Sequence, residues 1–196
     1  MASLLEKLQQ CVSGDTLEQL SRQLGADPGT TRSAISAALP ILVGALARNA
    51  STTQGADSLT NALNDHDGSV LDNVGSALSN YQQGPGAAIL GHVLGESRDP
   101  VEQGVSRSSG MAPEKAGALL QMLAPLVLGA LGKAKRQDGL DAAGVASMLG
   151  AEAEQAGSRI PGGLGSILQM LDTNKSGSVM DEAAGMVGKI FGNRSQ

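Results

Sequence analysis

Aromatic residues are nearly missing from this chain: Tyr81 and Phe191 are the only two, and there is no Trp. A hydrophobic core must therefore be built from aliphatic side chains, which supply most of the 41% of residues that are hydrophobic. Proteins that bind single-stranded nucleic acid stack bases on aromatic rings, so two distant rings argue against that class. The formal net charge of −5 provides no general field that would attract DNA, RNA or anionic lipid.

Cysteine is equally scarce, since Cys11 stands alone and no internal disulfide can form. One unpaired cysteine fits a reducing compartment, and we expect a cytoplasmic protein. Because Cys11 falls on a partly buried helix, we do not expect a reactive thiol. Glu6 and Lys7 interrupt the apolar residues at the N-terminus, which therefore does not resemble a signal peptide.

Long apolar runs are also rare, and the segment from Ala116 to Gly132 is the one that could be either a membrane span or a buried helix. It has roughly the minimum length of a membrane span. Pro125 lies near its centre, and no aromatic belt flanks it. These features favour a buried helix at the centre of a soluble domain, so we expect no transmembrane segment.

An internal duplication is what the sequence does contain. Residues 21–46 match residues 106–131 without a gap, and residues 68–72 (GSVLD) match residues 177–181 (GSVMD) in the same order. Two matching blocks in one order predict two copies of a helical unit. The predicted division is a first copy at 1–83, a hinge and linking helix at 84–98, and a second copy at 99–196 with an insertion near 135–163.

The pattern predicts an all-α protein, because no stretch shows sustained β alternation rich in Val, Ile and Thr. We expect the copies to pack through two apolar helices that contain Pro40 and Pro125, each kinked or broken at the proline. Gly44 and Gly129 follow those prolines by four residues, on the same helix face, and would permit close approach between the copies. Helices are predicted near 4–12, 17–24, 28–48, 55–63, 70–79, 87–94, 100–108, 113–133, 140–149, 151–156, 164–171 and 179–191.

Three segments carry a resemblance to a known family: GAAILGHVLG (86–95), MLAPLVLGALGKAK (122–135) and LDTNKSGSVMDEAAGMVG (171–188). They resemble the YidB-like family of uncharacterised bacterial proteins, a family defined by a domain of unknown function. The resemblance covers most of residues 30–192. It implies a bacterial source and a helical fold, and it implies no activity and no catalytic residues.

The segment that starts at Asp172 copies the first half of a calcium-binding loop. Asp172, Asn174 and Ser176 hold the first three oxygen-ligand positions. The last position, which should be a bidentate Glu, is Ala183, and Asp181 is only a possible further ligand. We therefore expect no metal and no other cofactor.

Both copies keep a Ser-Val-x-Asp sequence, from Ser69 to Asp72 and from Ser178 to Asp181. Serine as the N-cap with an acidic residue three positions later is typical of a capping box. Helix-start chemistry explains what the copies share better than calcium binding does.

A helix-turn-helix-like segment spans residues 17–36 and offers Arg22, Thr30 and Arg32 to nucleic acid. The first copy has an acidic balance, and two helices joined by a tight turn are common in helical proteins. DNA binding is therefore the alternative and not the leading hypothesis. The basic cluster of Lys133, Lys135 and Arg136 is predicted to offset a helix dipole, with contact to an anion or a lipid headgroup as the alternative.

Catalytic chemistry finds no support in the sequence. His66 and His92 lack the spacing of a paired-histidine zinc site, and we expect His92 to be packed in its apolar helix. No nucleophile motif or phosphate loop is present. The leading hypothesis is a non-enzymatic interaction or scaffolding protein that self-associates, because the chain has more apolar helix surface than a small duplicated fold can bury. The alternative is a weak DNA-binding regulator.

Overall fold

A computed structural model describes residues 3–157, and every regular element within them is helical. The all-α class is thereby confirmed for this part of the chain. The α-helices are α1 (Leu4–Cys11), α2 (Asp15–Leu24), α3 (Pro28–Asn49), α4 (Thr53–Asp65), α5 (Ser69–Asp72), α6 (Val74–Ser79), α7 (Gly86–Leu94), α8 (Arg98–Ser109), α9 (Pro113–Asp138) and α10 (Ala142–Gly157), with a short 3₁₀ turn at Gly95–Ser97 before α8.

The start of α3 follows its sequence signals closely. Asp27 is the N-cap, and its carboxylate accepts a hydrogen bond of 2.9 Å from the backbone N–H of Thr30. Pro28 opens the helix, where its missing N–H costs nothing. The start of α2 lies two residues before the predicted residue 17, because Gly14 is the cap and Asp15 is already the first helical residue.

The two gap-free matching segments have the same local order of structure. Helices α2 and α8 end at Gly25 and Gly110, which have φ values of 56° and 75° in the left-handed region that favours glycine. After two further residues, α3 and α9 begin at Pro28 and Pro113. The division of the whole chain into two tandem copies stays a prediction.

Pro40 and Pro125 lie inside α3 and α9, and both helices run through them without interruption. The predicted alternative of a break at each proline is therefore wrong. Proline leaves the carbonyl four residues earlier without its helical donor. In α3 this carbonyl belongs to Ser36, an exposed residue at which water can supply the missing hydrogen bond.

Helices α3 and α9 contact each other and form the centre of the core, as their apolar sequences predict. Helix α3 also packs against α8 and α10, and α10 packs against α4. Helix α10 lies within the predicted insertion at 135–163, so this described part of the segment packs against the core helices. The core is aliphatic, with the largest fully buried side chains being Leu8, Leu20, Leu39, Ile41, Leu42, Leu63, Leu78, Leu90, Leu119, Leu120, Met122 and Leu123.

Both central helices are long and apolar enough to cross a membrane by length and composition alone. The sequence singled out only the segment in α9, and α3 passes the same test. Core helices of soluble proteins also pass this test. Of the 18-residue apolar stretch in each helix, 67% is buried inside the protein in α3 and 78% in α9. The expectation of no transmembrane segment stays a prediction that this burial favours.

Two predicted helix boundaries are wrong. The helix predicted at 70–79 is divided at Asn73, whose backbone (φ −141°, ψ 54°) is not helical, into α5 and α6. The helices predicted at 140–149 and 151–156 form one helix, α10, because Gly150 remains helical within it. The helices predicted at 164–171 and 179–191 lie outside the described residues.

Candidate functional site

A groove with a cavity volume of about 620 Å³ opens between the C-terminal end of α3, α4 and α7, with α9 beneath it. We call it the α4–α7 groove. Its volume falls within the range of about 300–1,000 Å³ that is typical of small-molecule sites. It is lined by Leu46, Asn49, Thr52, Gln54, Gly55, Ser58, Leu59, Ala62, His66, Ile89, His92, Val93 and Leu128.

The groove has an apolar floor and a polar rim. The floor consists of buried aliphatic side chains, each at most 9% exposed, namely Leu46, Leu59, Ile89, Val93 and Leu128. The polar rim is formed by Asn49, Thr52, Gln54, Ser58, His66 and His92. Among the described residues that line the groove, none is Asp, Glu, Lys or Arg.

Helix-end chemistry holds the rim in place. The Thr52 hydroxyl caps α4 by accepting a hydrogen bond of 3.1 Å from the Gly55 N–H. The Asn49 side-chain amide, near the C-terminal end of α3, donates to the carbonyl oxygens of Val93 at 3.1 Å and His92 at 3.4 Å. A β-carbon on Gly55 would overlap the carbonyl oxygen of Asn49, so glycine is needed where α4 turns back on α3.

Four rim side chains keep their hydrogen-bonding capacity. Asn49 and Thr52 are occupied by the bonds just given. The other four polar groups have no side-chain hydrogen bond to any residue in the described part of the chain, and they are Gln54, Ser58, His66 and His92. A bound molecule would therefore meet free donors and acceptors at the rim.

The two histidines line one groove, which the sequence did not predict. The prediction that His92 packs inside its helix is wrong, because His92 is exposed at the edge of the groove while Ile89 and Val93 face inward. His66 lies at the C-terminal end of α4 and lines the same groove. Within residues 3–157, no group of three or more His, Cys, Asp or Glu side chains could hold a metal ion.

Gly129 allows the expected close approach to a helix of the predicted first copy, and this helix is α5. A β-carbon on Gly129 would overlap the Cγ1 atom of Val70 in α5. The neighbour is therefore the short helix after α4 and not α3. Gly44, the matching residue in α3, is half-buried.

The predicted capping box from Ser69 to Asp72 is wrong. Ser69 is the first residue of α5, Gly68 precedes it as the cap, and the carboxylate of Asp67 accepts a hydrogen bond of 2.9 Å from the Ser69 N–H. The hydrogen bonds from Ser69, with a smaller contribution from the Arg136 guanidinium at 3.5 Å, lower the pKa of Asp67 to about 2. A carboxylate two residues earlier can reach this N–H, whereas the Ser69 side chain begins inside the helix.

The matching residues of the second copy, Ser178 and Asp181, lie outside the described residues. So do the calcium candidates Asp172, Asn174 and Ser176.

The basic cluster at the end of α9 joins this helix to its neighbours. The Lys135 ammonium donates to the Thr60 carbonyl at 3.1 Å and to the Asn64 side-chain oxygen at 2.6 Å, both in α4. Arg136 pairs with Asp67, and Lys133 is exposed. The cluster thus fixes α9 against α4 and the following turn, a role beyond the predicted offset of the helix dipole.

The nucleic-acid candidates lie around the turn between α2 and α3. Arg22 is exposed and pairs with Glu18 at 3.5 Å, Arg32 is exposed, and Thr30 is half-buried with its N–H bound to Asp27. From residue 37 to residue 43 every residue of α3 is buried. Only the first turns of α3 could therefore present side chains to a duplex.

The structure thus defines the class as an all-α protein with two long apolar helices at its centre and an uncharged groove beside them. A family model described as "Bacterial protein of unknown function (DUF937)" matches residues 6–134, which is well over half of the chain. The chain belongs to this family, and the YidB-like resemblance is consistent with it. No curated protein and no solved structure matches the chain. All residues that line the α4–α7 groove lie within the matched range.

Proposed function

We propose that the protein is a non-enzymatic interaction or scaffolding protein that works in the cytoplasm and self-associates. The observation that carries the proposal is the outer face of α7. This helix contains no Asp, Glu, Lys or Arg, yet Ala87, Ala88 and Gly91, none of which lines the α4–α7 groove, are exposed on it. In a chain with a net charge of −5, an uncharged helix face is a place where two copies can approach without mutual repulsion.

The chemistry of the groove supports a binding role over a catalytic one. A serine nucleophile needs a base within hydrogen-bonding reach, and that base needs a third group that orients it. Ser58 makes no hydrogen bond to His66 or His92, and neither imidazole is hydrogen-bonded to a carboxylate among residues 3–157. The groove thus offers contact surface and neutral polar groups.

Light scattering coupled to gel filtration tests the self-association. The wild-type chain has a mass of 19.7 kDa, and we expect a defined multiple of it. Gly91→Glu should reduce the mass to that of the monomer, because it places a charge on the outer face of α7. A β-carbon at Gly91 meets nothing within 4 Å, so the fold tolerates the substitution.

Gly150→Glu is the matched control, since Gly150 lies in α10 and a β-carbon there also meets nothing within 4 Å. This variant should keep the mass of the wild type. A monomeric wild type at all concentrations would contradict the proposal. An oligomer that Gly91→Glu leaves intact would show that α7 is not the contact surface.

A second candidate function is weak DNA binding at the turn between α2 and α3. The observation that favours it is a local group of cations: Arg22 and Arg32 are exposed, and the Lys115 ammonium donates to the Gly25 carbonyl at this turn. A mobility shift on duplex DNA that weakens with salt, and is lost in Arg22→Gln/Arg32→Gln, would support it. No shift at low salt would exclude it.

A further inference from the structure

We propose that the α4–α7 groove binds a small uncharged amphiphile, a molecule with an aliphatic body and one or two hydroxyl, carbonyl or amide groups. This inference goes beyond the proposed self-association and does not depend on it. Gly91, which tests self-association, is not among the groove residues.

The floor selects for an aliphatic body. The floor is made of branched aliphatic side chains from four helices, α3, α4, α7 and α9. They are Leu46, Leu59, Ile89, Val93 and Leu128. This apolar surface therefore exists only when the four helices are packed together. An apolar ligand that lies on this floor removes from water its own apolar surface and the small part of the floor that is still exposed, which is favourable in proportion to the area buried.

The absence of charge in the described lining selects against ions. A carboxylate or ammonium group that entered the groove would lose part of its hydration and find no side chain of fixed opposite charge. Burying a charge without a partner is strongly unfavourable. The ligand is therefore expected to be neutral.

The rim selects for neutral hydrogen-bonding groups. The amide of Gln54, the hydroxyl of Ser58 and a neutral imidazole can each donate and accept a hydrogen bond. These side chains have no partner among the described residues, so binding a hydroxyl or amide displaces only water. Polar groups of this kind fix the orientation of a ligand whose affinity comes from the floor.

The size of the groove suits a small molecule, because its volume of about 620 Å³ lies within the range of about 300–1,000 Å³ that is typical of such sites. The same volume accommodates about twenty non-hydrogen atoms at the ~30 Å³ that a water molecule occupies in the liquid.

Displacement of a fluorescent probe from the full chain tests the proposal. N-phenyl-1-naphthylamine gains fluorescence in apolar sites, and the absence of Trp keeps the protein background low. We expect saturable binding with a stoichiometry of one per chain and displacement by 1-decanol. Decanoate and decyltrimethylammonium, which have the same chain length, should compete at least about tenfold more weakly, a difference of about 1.4 kcal/mol.

Ala62→Phe is the blocking variant. Ala62 is exposed on α4 and lines the groove, so a phenyl ring there fills the space above the floor. It should weaken 1-decanol at least about tenfold. Ala143→Phe, at an exposed position of α10 outside the groove, should leave the affinity unchanged. If the circular dichroism of Ala62→Phe shows a loss of helix, Ser58→Phe repeats the test from the preceding turn of α4.

Three results would overturn the proposal. The first is a failure of 1-decanol to displace the probe, or equal affinity in the blocking variants. The second is equal competition by either charged compound, which would refute a neutral ligand. The third is a change of mass caused by Ala62→Phe as large as that caused by Gly91→Glu, which would make the groove part of the contact between copies. A monomeric protein that still binds 1-decanol would refute the self-association and leave the ligand site standing.

Discussion

Gly86 lies against the main-chain oxygen of Gln121, and a β-carbon placed on Gly86 would overlap this oxygen. Gln121 precedes Pro125 by four residues, so its carbonyl is the one that proline leaves without a helical N–H donor. The α-hydrogen of Gly86 that a β-carbon would replace is directed toward this oxygen, and C–H···O contacts are weakly favourable. The first residue of α7 thus packs where the hydrogen-bond ladder of α9 is interrupted.

Gly86→Ala should therefore destabilise the protein. The added methyl group meets backbone, which cannot rotate away, and overpacking of this kind costs about 1–3 kcal/mol. Urea unfolding followed by helical circular dichroism measures the loss. Gly91→Ala is the control in the same helix, because its β-carbon meets nothing within 4 Å, and it should be neutral or stabilising by up to about 1 kcal/mol. Equal stability of the two variants would refute the contact.

The buried carboxylate of Glu152 caps the start of α1. It is 8% exposed and accepts hydrogen bonds from the N–H groups of Leu4 at 2.7 Å and Leu5 at 3.3 Å. Glu152→Ala removes hydrogen bonds to a charged group and should lower the free energy of unfolding by about 1.5–3 kcal/mol. It should also speed amide exchange at Leu4 and Leu5. Glu154→Ala, at an exposed position of the same helix, should change stability by less than about 0.5 kcal/mol. Slow exchange in Glu152→Ala would contradict this role.

The lowered pKa of Asp67 predicts a loss of stability in acid. A carboxylate whose folded pKa is about 2 stabilises the fold fully above its unfolded pKa of 3.8, and this contribution disappears as the pH falls through about 2. Asp67→Asn should therefore be less stable than the wild type at neutral pH, with a difference that shrinks between pH 3.8 and about 2. Unfolding measured across this pH range would show the convergence, and a constant difference would contradict it.

The cause of that shift can be tested separately. Ser69 contributes more than Arg136, so Arg136→Gln should leave the pKa of Asp67 below its usual value of 3.8. Titration of the Asp67 carboxyl carbon by nuclear magnetic resonance gives the pKa directly. A return to 3.8 in Arg136→Gln would identify the ion pair as the main cause.

Gly132 should matter for both stability and the groove. A β-carbon on Gly132 would overlap the carbonyl oxygen of His66, at the end of α4, so Gly132→Ala must displace this residue or α9. We expect a loss of about 1–3 kcal/mol and weaker binding of 1-decanol, because His66 lines the groove. Gly150→Ala has open space at its β-carbon and should preserve both properties. Unchanged affinity of Gly132→Ala for 1-decanol would show that His66 does not contribute to the binding site.

Local signals account for the ends of several helices. Asp27 before Pro28, and glycines such as Gly25 and Gly110 after an amphipathic run, act within a few residues and need no tertiary contact. The same reasoning failed at Ser69, because Asp67 competes for the same N–H and the sequence does not rank the two oxygens.

The groove could not be predicted, because its parts are distant in the sequence. His66 and His92 come from α4 and α7, and neither carries a pattern that points to the other. His92 was assigned to the interior on the apolar character of its helix. Which face of such a helix is covered depends on its neighbours, since every face of α7 is apolar enough to be buried.

The sequence by itself determined that this chain is all-α, that its core is aliphatic and that two apolar helices form the centre, because composition, helix caps and periodicity act locally and add along the chain. Tertiary structure decided which glycines are needed, how Glu152 caps α1, and that four unpartnered polar groups surround one apolar floor. Those relationships depend on close approach between helices that are distant along the chain. The physical reason is that packing is a property of pairs of surfaces, whereas the sequence specifies each surface separately.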